Sequence, residues 1–270
     1  MDKNTLCKEN LDKLFNEILQ CANYAKEMQK NITRHYKKDG SVLTKADTDI
    51  SNRIINTITD LFPNCNIISE ENLTDFDKSA PYTFILDPID GTDVYSQGFP
   101  SFAISLGIID DKRIPVGAMI VAPRFGIGKE SLEVRLDPGK DLYIDGEKID
   151  SFVNKDIPKQ LTMSSKLQRI LNFKNFNGKV RTFGSTIIQI LAPVVFSSID
   201  GCVNQKAYVW DIVSSHAVLR KLGLNVVYPN KKELTYTDDL LINRNLTENI
   251  IYCGSKKCID NMLDLLPLED

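Results

Sequence analysis

Apolar residues recur at helical spacing through the N-terminal part of the chain. Leu6, Leu11, Leu14, Phe15, Ile18, Leu19, Ala22 and Ala25 share one face of a helix over residues 5–30. A second stripe, Ile50, Ile54, Ile55, Ile58 and Leu61, predicts a helix from about Asp49 to Leu61, closed by Pro63. The pattern then shortens to strand-like runs. "NIISEE" and "YTFILD" are apolar up to their acidic ends, "FAISLGII" and "VGAMIVA" flank the turn-forming "DDKR", and "LYIDGEKI" carries the hairpin pair Asp145-Gly146. Beyond about residue 150, strand and helix alternate. "TFGSTIIQILAPVVFSSIDG" reads as turn, helix and turn, and "CVNQKAYVW" as a strand. "DIVSSHAVLRKLGL" reads as a helix starting at Asp211 with Gly223 near its end; "NIIYCG" is a final strand and "KKCIDNMLDLLP" a final helix. The expected class is α/β with an α+β first half: one compact catalytic unit over 1–270, divided into subdomains 1–150 and 151–270.

Composition narrows the function. A net charge of −3 and a pI near 5.6 argue against nucleic-acid polymers and anionic membranes as partners, and leave small phosphorylated metabolites open. No apolar run reaches signal-peptide or membrane-span length, so a cytoplasmic location is expected. Cys7, Cys21, Cys65, Cys202, Cys253 and Cys258 lack metal-type spacing and are expected to be reduced thiols.

Carboxylates carry the chemistry. Asp47 lies in "TKADTD", Glu70 and Glu71 in "ISEEN", Asp87, Asp90 and Asp93 in "DPIDGTD", and Asp211 in "VWDIV". Most sit where an apolar strand ends or a helix begins, the positions at which α/β folds collect active-site groups. Carboxylates so crowded repel one another unless a cation sits among them, and a hard cation such as Mg²⁺ wants oxygen ligands with positions left for substrate. Asp87-Pro88-Ile89-Asp90 can offer two carboxylates and a carbonyl from one tight turn, and Gly91 lets the chain double back. An EF-hand is excluded, because Ile89 and Gly98 stand where it needs acidic or amide oxygens. "RFGIGKES" lacks the glycine spacing of a phosphate loop.

"DPIDGT" after a strand, "SEE" upstream of it and "WD" opening a late helix resemble the inositol monophosphatase family over nearly the whole chain. That resemblance implies a layered αβαβα sandwich, a homodimer, lithium sensitivity and a phosphatase using two or three Mg²⁺ ions. By position it implies that Glu70, Asp87 and the Ile89 carbonyl hold one metal, and that Asp87, Asp90 and Asp211 hold a second. Thr92, hydrogen-bonded to Asp47, would orient the attacking water, giving Asp47, Glu70 and Thr92 catalytic roles. Substrate contacts would come from Asp90, Gly91, Thr92, Gly184, Ser185, Asn204, Lys206 and Asp211. Two cations about 3.5–4 Å apart would neutralise the ester and acidify the water.

The substrate side departs from the inositol-specific pattern. Val94-Tyr95 replaces Asn-Phe, Ser69 replaces the first glycine of "GEE", and Asn204 replaces a glutamate that grips inositol hydroxyls. Lys206 is a candidate for a second phosphate, with Arg124 and Lys129 weaker ones. Inositol monophosphatase-like activity is the leading expectation. Fructose-1,6-bisphosphatase or 3′(2′),5′-bisphosphate nucleotidase activity is the alternative, and an inactive phospho-ligand binder or a calcium module stands in another class. His35 and His216 are expected to be structural or surface residues.

Overall fold

The computed structural model describes residues 6–72, 75–153 and 155–269. Helix α1 (Lys8–Met28) leads to a small hairpin, β1 (His35–Tyr36) and β2 (Val42–Leu43), and then to α2 (Lys45–Leu61). Strands β3 (Asn66–Ser69) and β4 (Tyr82–Asp90) follow, then the short α3 (Thr92–Ser96). Next come β5 (Ala103–Asp110), β6 (Pro115–Ala122), β7 (Leu132–Leu136), β8 (Leu142–Ile144) and β9 (Glu147–Ile149). The remainder is β10 (Gln160–Met163), β11 (Lys179–Arg181), α4 (Thr186–Val195), β12 (Gly201–Asn204), α5 (Val213–Lys221), β13 (Asn225–Val227), α6 (Asp238–Leu241), β14 (Ile251–Gly254) and α7 (Lys256–Leu265).

Strands β3 to β9 form a seven-stranded sheet in sequence order, antiparallel except for the β3–β4 pair. A five-stranded mixed sheet runs β11-β10-β12-β14-β13. Helices α1 and α2 cover one face of the larger sheet, α4 and α5 lie between the two sheets, and α7 packs against the smaller one. This is the expected αβαβα sandwich. The apolar stripe of α1 supplies Leu11, Leu14, Ile18, Ala22 and Ala25 to the outer core, joined by Ile50, Ile54 and Ile58 of α2. In the middle layer, α5 is held against β5 by the buried hydroxyl pair Ser105–Ser214, 2.6 Å apart. That seating fixes the chain that brings Asp211 to the site.

Several boundaries differ from the sequence reading. Helix α2 begins four residues before Asp49, because Thr44 and Asp47 form a reciprocal capping box at its N-terminus. "CVNQKAYVW" is a strand only to Asn204; Gln205–Tyr208 is loop and Val209–Asp211 a 3-10 turn, with α5 starting after Asp211. The Asp87–Asp90 segment is not a tight turn either. It continues β4 through a bulge, and the chain reverses only at Gly91, where φ is +88°.

Candidate active site

The bulge explains how Asp87 and Asp90 come to work together. Residues three apart on a regular strand point to opposite faces. Here Asp87 pairs with Ser105 and Asp90 with Ala103, so three steps on β4 match two on β5. The extra residue re-aims the strand end. Asp87, Asp90 and Asp211 each present a carboxylate oxygen within 4.8 Å of the others. Burial, followed by the repulsion of Glu70, Asp90 and Asp211, pushes Asp87 well above the usual carboxylate range. Burial and then Asp90 and Glu70 do the same to Asp211. Asp90 rises to about 6, again through burial, moderated by Ser185, Ile187 and Thr186.

Those last contacts cross between layers. Asp90 Oδ1 accepts from Thr186 N at 3.1 Å, and Oδ2 accepts from Ile187 N at 2.8 Å and from the Ser185 hydroxyl. A carboxylate from the larger sheet thus caps the N-terminus of α4, where unpaired amides and the helix dipole favour a negative charge. Ser185 is fully buried and holds Asp90 rather than facing the cleft. Gly184 does line the cleft, and a Cβ there would stand 2.4 Å from Val94.

Beside this cluster, Asp47 is fully buried at the third position of α2. Its Oδ2 accepts from Thr44 N at 2.8 Å and Thr44 Oγ1 at 2.5 Å; its Oδ1 accepts from Thr92 Oγ1 at 2.9 Å. Burial raises its pKa, and these hydrogen bonds limit the rise. The Ile89 carbonyl is a second acceptor for Thr92 Oγ1, also at 2.9 Å.

Glu70 lies close enough to raise both Asp87 and Asp211 but is turned toward Lys37, whose ammonium reaches Glu70 and Glu71 at 2.7 Å each. Burial lifts Glu70 to about 7 despite that partner. Burial alone would lower Lys37; the two glutamates outweigh it and hold the ammonium charged. Lys37 comes from the β1–β2 turn and was not singled out in the sequence. Nor was Arg244, which donates to the carbonyls of Ser69, of Asn72 at 3.0 Å and of Glu70 at 3.3 Å. Its guanidinium lies 4.8 Å from the Trp210 ring, itself stacked on Tyr208. Arg244 therefore joins the end of β3, which carries Glu70, to the turn that carries Asp211.

These groups open into a cleft of about 1020 Å³. One wall holds Glu70, Asp87, Ile89, Asp90, Gly91 and Thr92, and another comes from loops of the five-stranded sheet, including Lys206 and Asp211. Lys206 sits in the loop after β12, not on a strand. Asn204 is brought to neither wall. It is fully buried behind the cleft, where its Oδ1 accepts from the Ser164 hydroxyl and from Gln189 Nε2 at 3.4 Å, leaving Nδ2 unpartnered among the described residues. Its position on a central strand with both neighbours covered accounts for this. Tyr95 is core, donating to Ala25 O at 2.8 Å. Arg124 bonds Gln29 and Gly98, and Lys129 lies 3.6 Å from Asp145, both away from the cleft. His216 is structural: buried, and 3.0 Å from the Tyr236 hydroxyl. A second cavity of about 580 Å³ beside α1 contains Arg135, already paired with Asp12 and Asp137 at 2.7 Å, and offers no comparable cluster.

The inositol monophosphatase family model matches residues 9–252. The chain belongs to the inositol monophosphatase family. A family relative from Methanocaldococcus jannaschii, a fructose-1,6-bisphosphatase/inositol-1-monophosphatase, is 29% identical over 261 residues, covering 90% of this chain and 97% of its own. Two solved family structures share the fold. A staphylococcal IMPase-I complexed with products superposes with a TM-score of 0.79 at 16% identity, covering 98% of this chain and 99% of its own. An IMPase/NADP phosphatase complexed with Mg²⁺ and phosphate superposes at 0.77 and 16%, covering 97% and 98%. As a member of this family the chain is a phosphomonoester hydrolase. Among the described residues, no helix is long and apolar enough to cross a membrane.

Proposed function

We propose that the protein is a Mg²⁺-dependent phosphatase that hydrolyses a small-molecule phosphate monoester with water as nucleophile. The observation that carries this reading is the convergence of Asp87 and Asp90, buried, with the half-buried Asp211, all three with raised pKa values and no ammonium or guanidinium paired to them among the described residues. Such a site is costly unless a cation compensates it. An all-oxygen donor set suits a hard divalent ion. Asp87, Asp90, Asp211, Glu70 and the Ile89 carbonyl would hold the ions. When bound, the cations neutralise the ester and acidify a coordinated water.

The chain's own groups supply positioning, which is most of what phosphoryl transfer asks for. Thr92 has one hydroxyl proton and two acceptors in reach, Asp47 Oδ1 and Ile89 O. With the Ile89 carbonyl engaged elsewhere, that proton stays with Asp47, and the Thr92 oxygen is left to accept from the attacking water and aim it. The Gly91–Thr92 turn meets the phosphate. As the water oxygen bonds to phosphorus the ester P–O bond breaks; the water gives up one proton to solvent and the leaving oxygen takes one up, so no net proton is consumed. Asn204, neutral and buried, supports a substrate other than one gripped by a charged acceptor at that position.

The test is phosphate release from a panel of monoesters with Mg²⁺ and with chelator, alongside calorimetric Mg²⁺ binding. Metal-dependent release from at least one ester supports the reading. Metal binding without release from any would leave a phospho-ligand binder.

A further inference from the structure

A cavity of about 470 Å³ opens toward the C-terminal end of α5, bounded by the β5–β6 turn and by the segment that follows β13. It shares no lining residue with the catalytic cleft, and its volume falls in the ordinary range for small-molecule sites. Its rim is cationic. Lys112 and Arg113 come from the turn and Arg220 from the end of α5. Arg113 is engaged, donating to Tyr236 O at 3.3 Å and to the Asp238 carboxylate. The Lys112 and Arg220 side chains have no carboxylate partner among the described residues, and Glu233, the acid on this lining, pairs with neither. The turn itself is fixed: Asp110 Oδ1 accepts from Lys112 N at 3.0 Å and from Ile114 N at 2.8 Å.

The cavity also meets a donor that the fold does not use. His216 lies one helical turn before Arg220, on the same face of α5, and is only 8% exposed. Its Nδ1 is 3.0 Å from the Tyr236 hydroxyl. Burial keeps the proton on that hydroxyl, which has no other acceptor among the described residues. Burial, followed by the Arg220 charge, keeps the imidazole neutral. Tyr236 therefore donates to Nδ1, which leaves the ring hydrogen on Nε2. Nε2 has no partner among the described residues and is not sealed within the core, so it opens into the cavity that His216 lines. Leu224, Val226 and Leu234 supply an apolar side to the same space.

We infer that this cavity is a second binding site, taking a small organic anion with an apolar body and one oxyanion head. His216 Nε2 donates to the oxyanion, Arg220 and Lys112 balance its charge, and Leu224, Val226 and Leu234 cover the body. A carboxylate and a phosphorus oxyanion offer the same acceptor chemistry, so the head group is left to the experiment. Hydrolysis at Asp87, Asp90 and Asp211 calls for none of these residues, and the inference stands or falls independently of the phosphatase reading.

The chain has two histidines, and His35 is exposed, so imidazole resonances report this site with an internal control. The experiment follows both imidazoles by NMR in the full chain, in Mg²⁺ buffer, as benzoate or phenylphosphonate is added at constant ionic strength. Phenylphosphonate carries a P–C bond in place of an ester, so a phosphatase leaves it intact. At least one of the two anions should move the His216 signals saturably, while His35 moves no more than it does in chloride. Arg220→Gln changes an exposed side chain and should leave the fold alone, yet should raise that Kd about tenfold or more, the scale of one lost charge-assisted contact. A response to benzoate alone, to phenylphosphonate alone or to both supports the site and identifies the head group it accepts. No saturable shift of His216 with either anion overturns it. So does a shift whose Kd is the same in Arg220→Gln.

Discussion

The two walls of the cleft are made in opposite ways. Asp87, Ile89, Asp90, Gly91 and Thr92 are near neighbours on one strand end, and their side chains are anchored by backbone amides, helix caps and the buried Thr44–Asp47 box. Lys166, Ile170, Lys206, Leu246 and Leu268 come from four separate segments, and their side chains stand largely free. The first wall cannot be re-aimed without breaking hydrogen bonds that also hold two layers together. The second can change one exposed side chain at a time. The acidic wall is therefore fixed by the architecture, while the opposite wall is left adjustable.

The sharpest way to break the comparison is at Asp211. Asp211→Asn keeps the shape and the bond from Tyr208 N, yet turnover should fall roughly a hundredfold or more, the scale seen when one charge-stabilising group is lost. In chelator the same variant should melt higher, by roughly 2–4 °C for each kcal/mol of relieved burial and repulsion. A loss of both activity and metal-free stability would contradict the crowded-carboxylate account.

Acid should weaken the protein for a reason lying in neither wall. Burial holds His216 at about 4, against about 6.5 for a free imidazole. Between those values the unfolded chain binds a proton that the folded chain refuses. This contribution is therefore complete above pH 6.5 and is lost as pH falls toward 4, about 3 kcal/mol in all. Denaturant unfolding across that window should show the slope, and His216→Gln should flatten it.

Arg244→Ala removes hydrogen bonds to three carbonyls and the contact with Trp210, and should cost about 1–3 kcal/mol in unfolding free energy. Because it joins the segments bearing Glu70 and Asp211, it should also weaken calorimetric Mg²⁺ binding. Unchanged Mg²⁺ affinity in a destabilised variant would reduce Arg244 to a structural clip. The smallest effect is expected at Lys37. Its ammonium occupies Glu70 when no cation is bound, so Lys37→Met should lower the Mg²⁺ concentration for half-activation about threefold to tenfold, in keeping with one partly buried ion pair. A shift the other way would mean that Lys37 helps the loaded site.

How much of this was legible in the sequence follows the same division. The acidic wall could be read because its residues are close in sequence and their types are unusual together. The main helices and strands followed from apolar periodicity and the α/β character of the second half from strand–helix alternation, while the layering was what the family resemblance implied. What failed depended on distant partners. The strand reading of "CVNQKAYVW" overruns Asn204, although the polar run Asn204-Gln205-Lys206 interrupts the apolar pattern there; the loop that follows leads into the turn that Asp211 closes on Tyr208. Asn204 lines up with a substrate residue by spacing, yet Ser164 and Gln189 cover it. Leu268 and Ile170 are ordinary until the C-terminal segment pairs with residues 170–172, and Arg244 carried no signal in "NRNL". The early start of α2 was readable, because Thr44 and Asp47 stand at capping-box spacing.

Asp90 serves two masters, and that bears on how descendants of this chain would diverge. A lineage that abandoned hydrolysis would still need a hydrogen-bond acceptor at the head of α4, so selection for folding alone would tend to keep Asp90. Asp47 is shielded in the same way by the start of α2. Glu70 has no such second employment: among the described residues its carboxylate meets only the Lys37 ammonium. It is the acid that a chain relieved of its chemistry would be free to lose first, and the position at which an idle relative would betray itself.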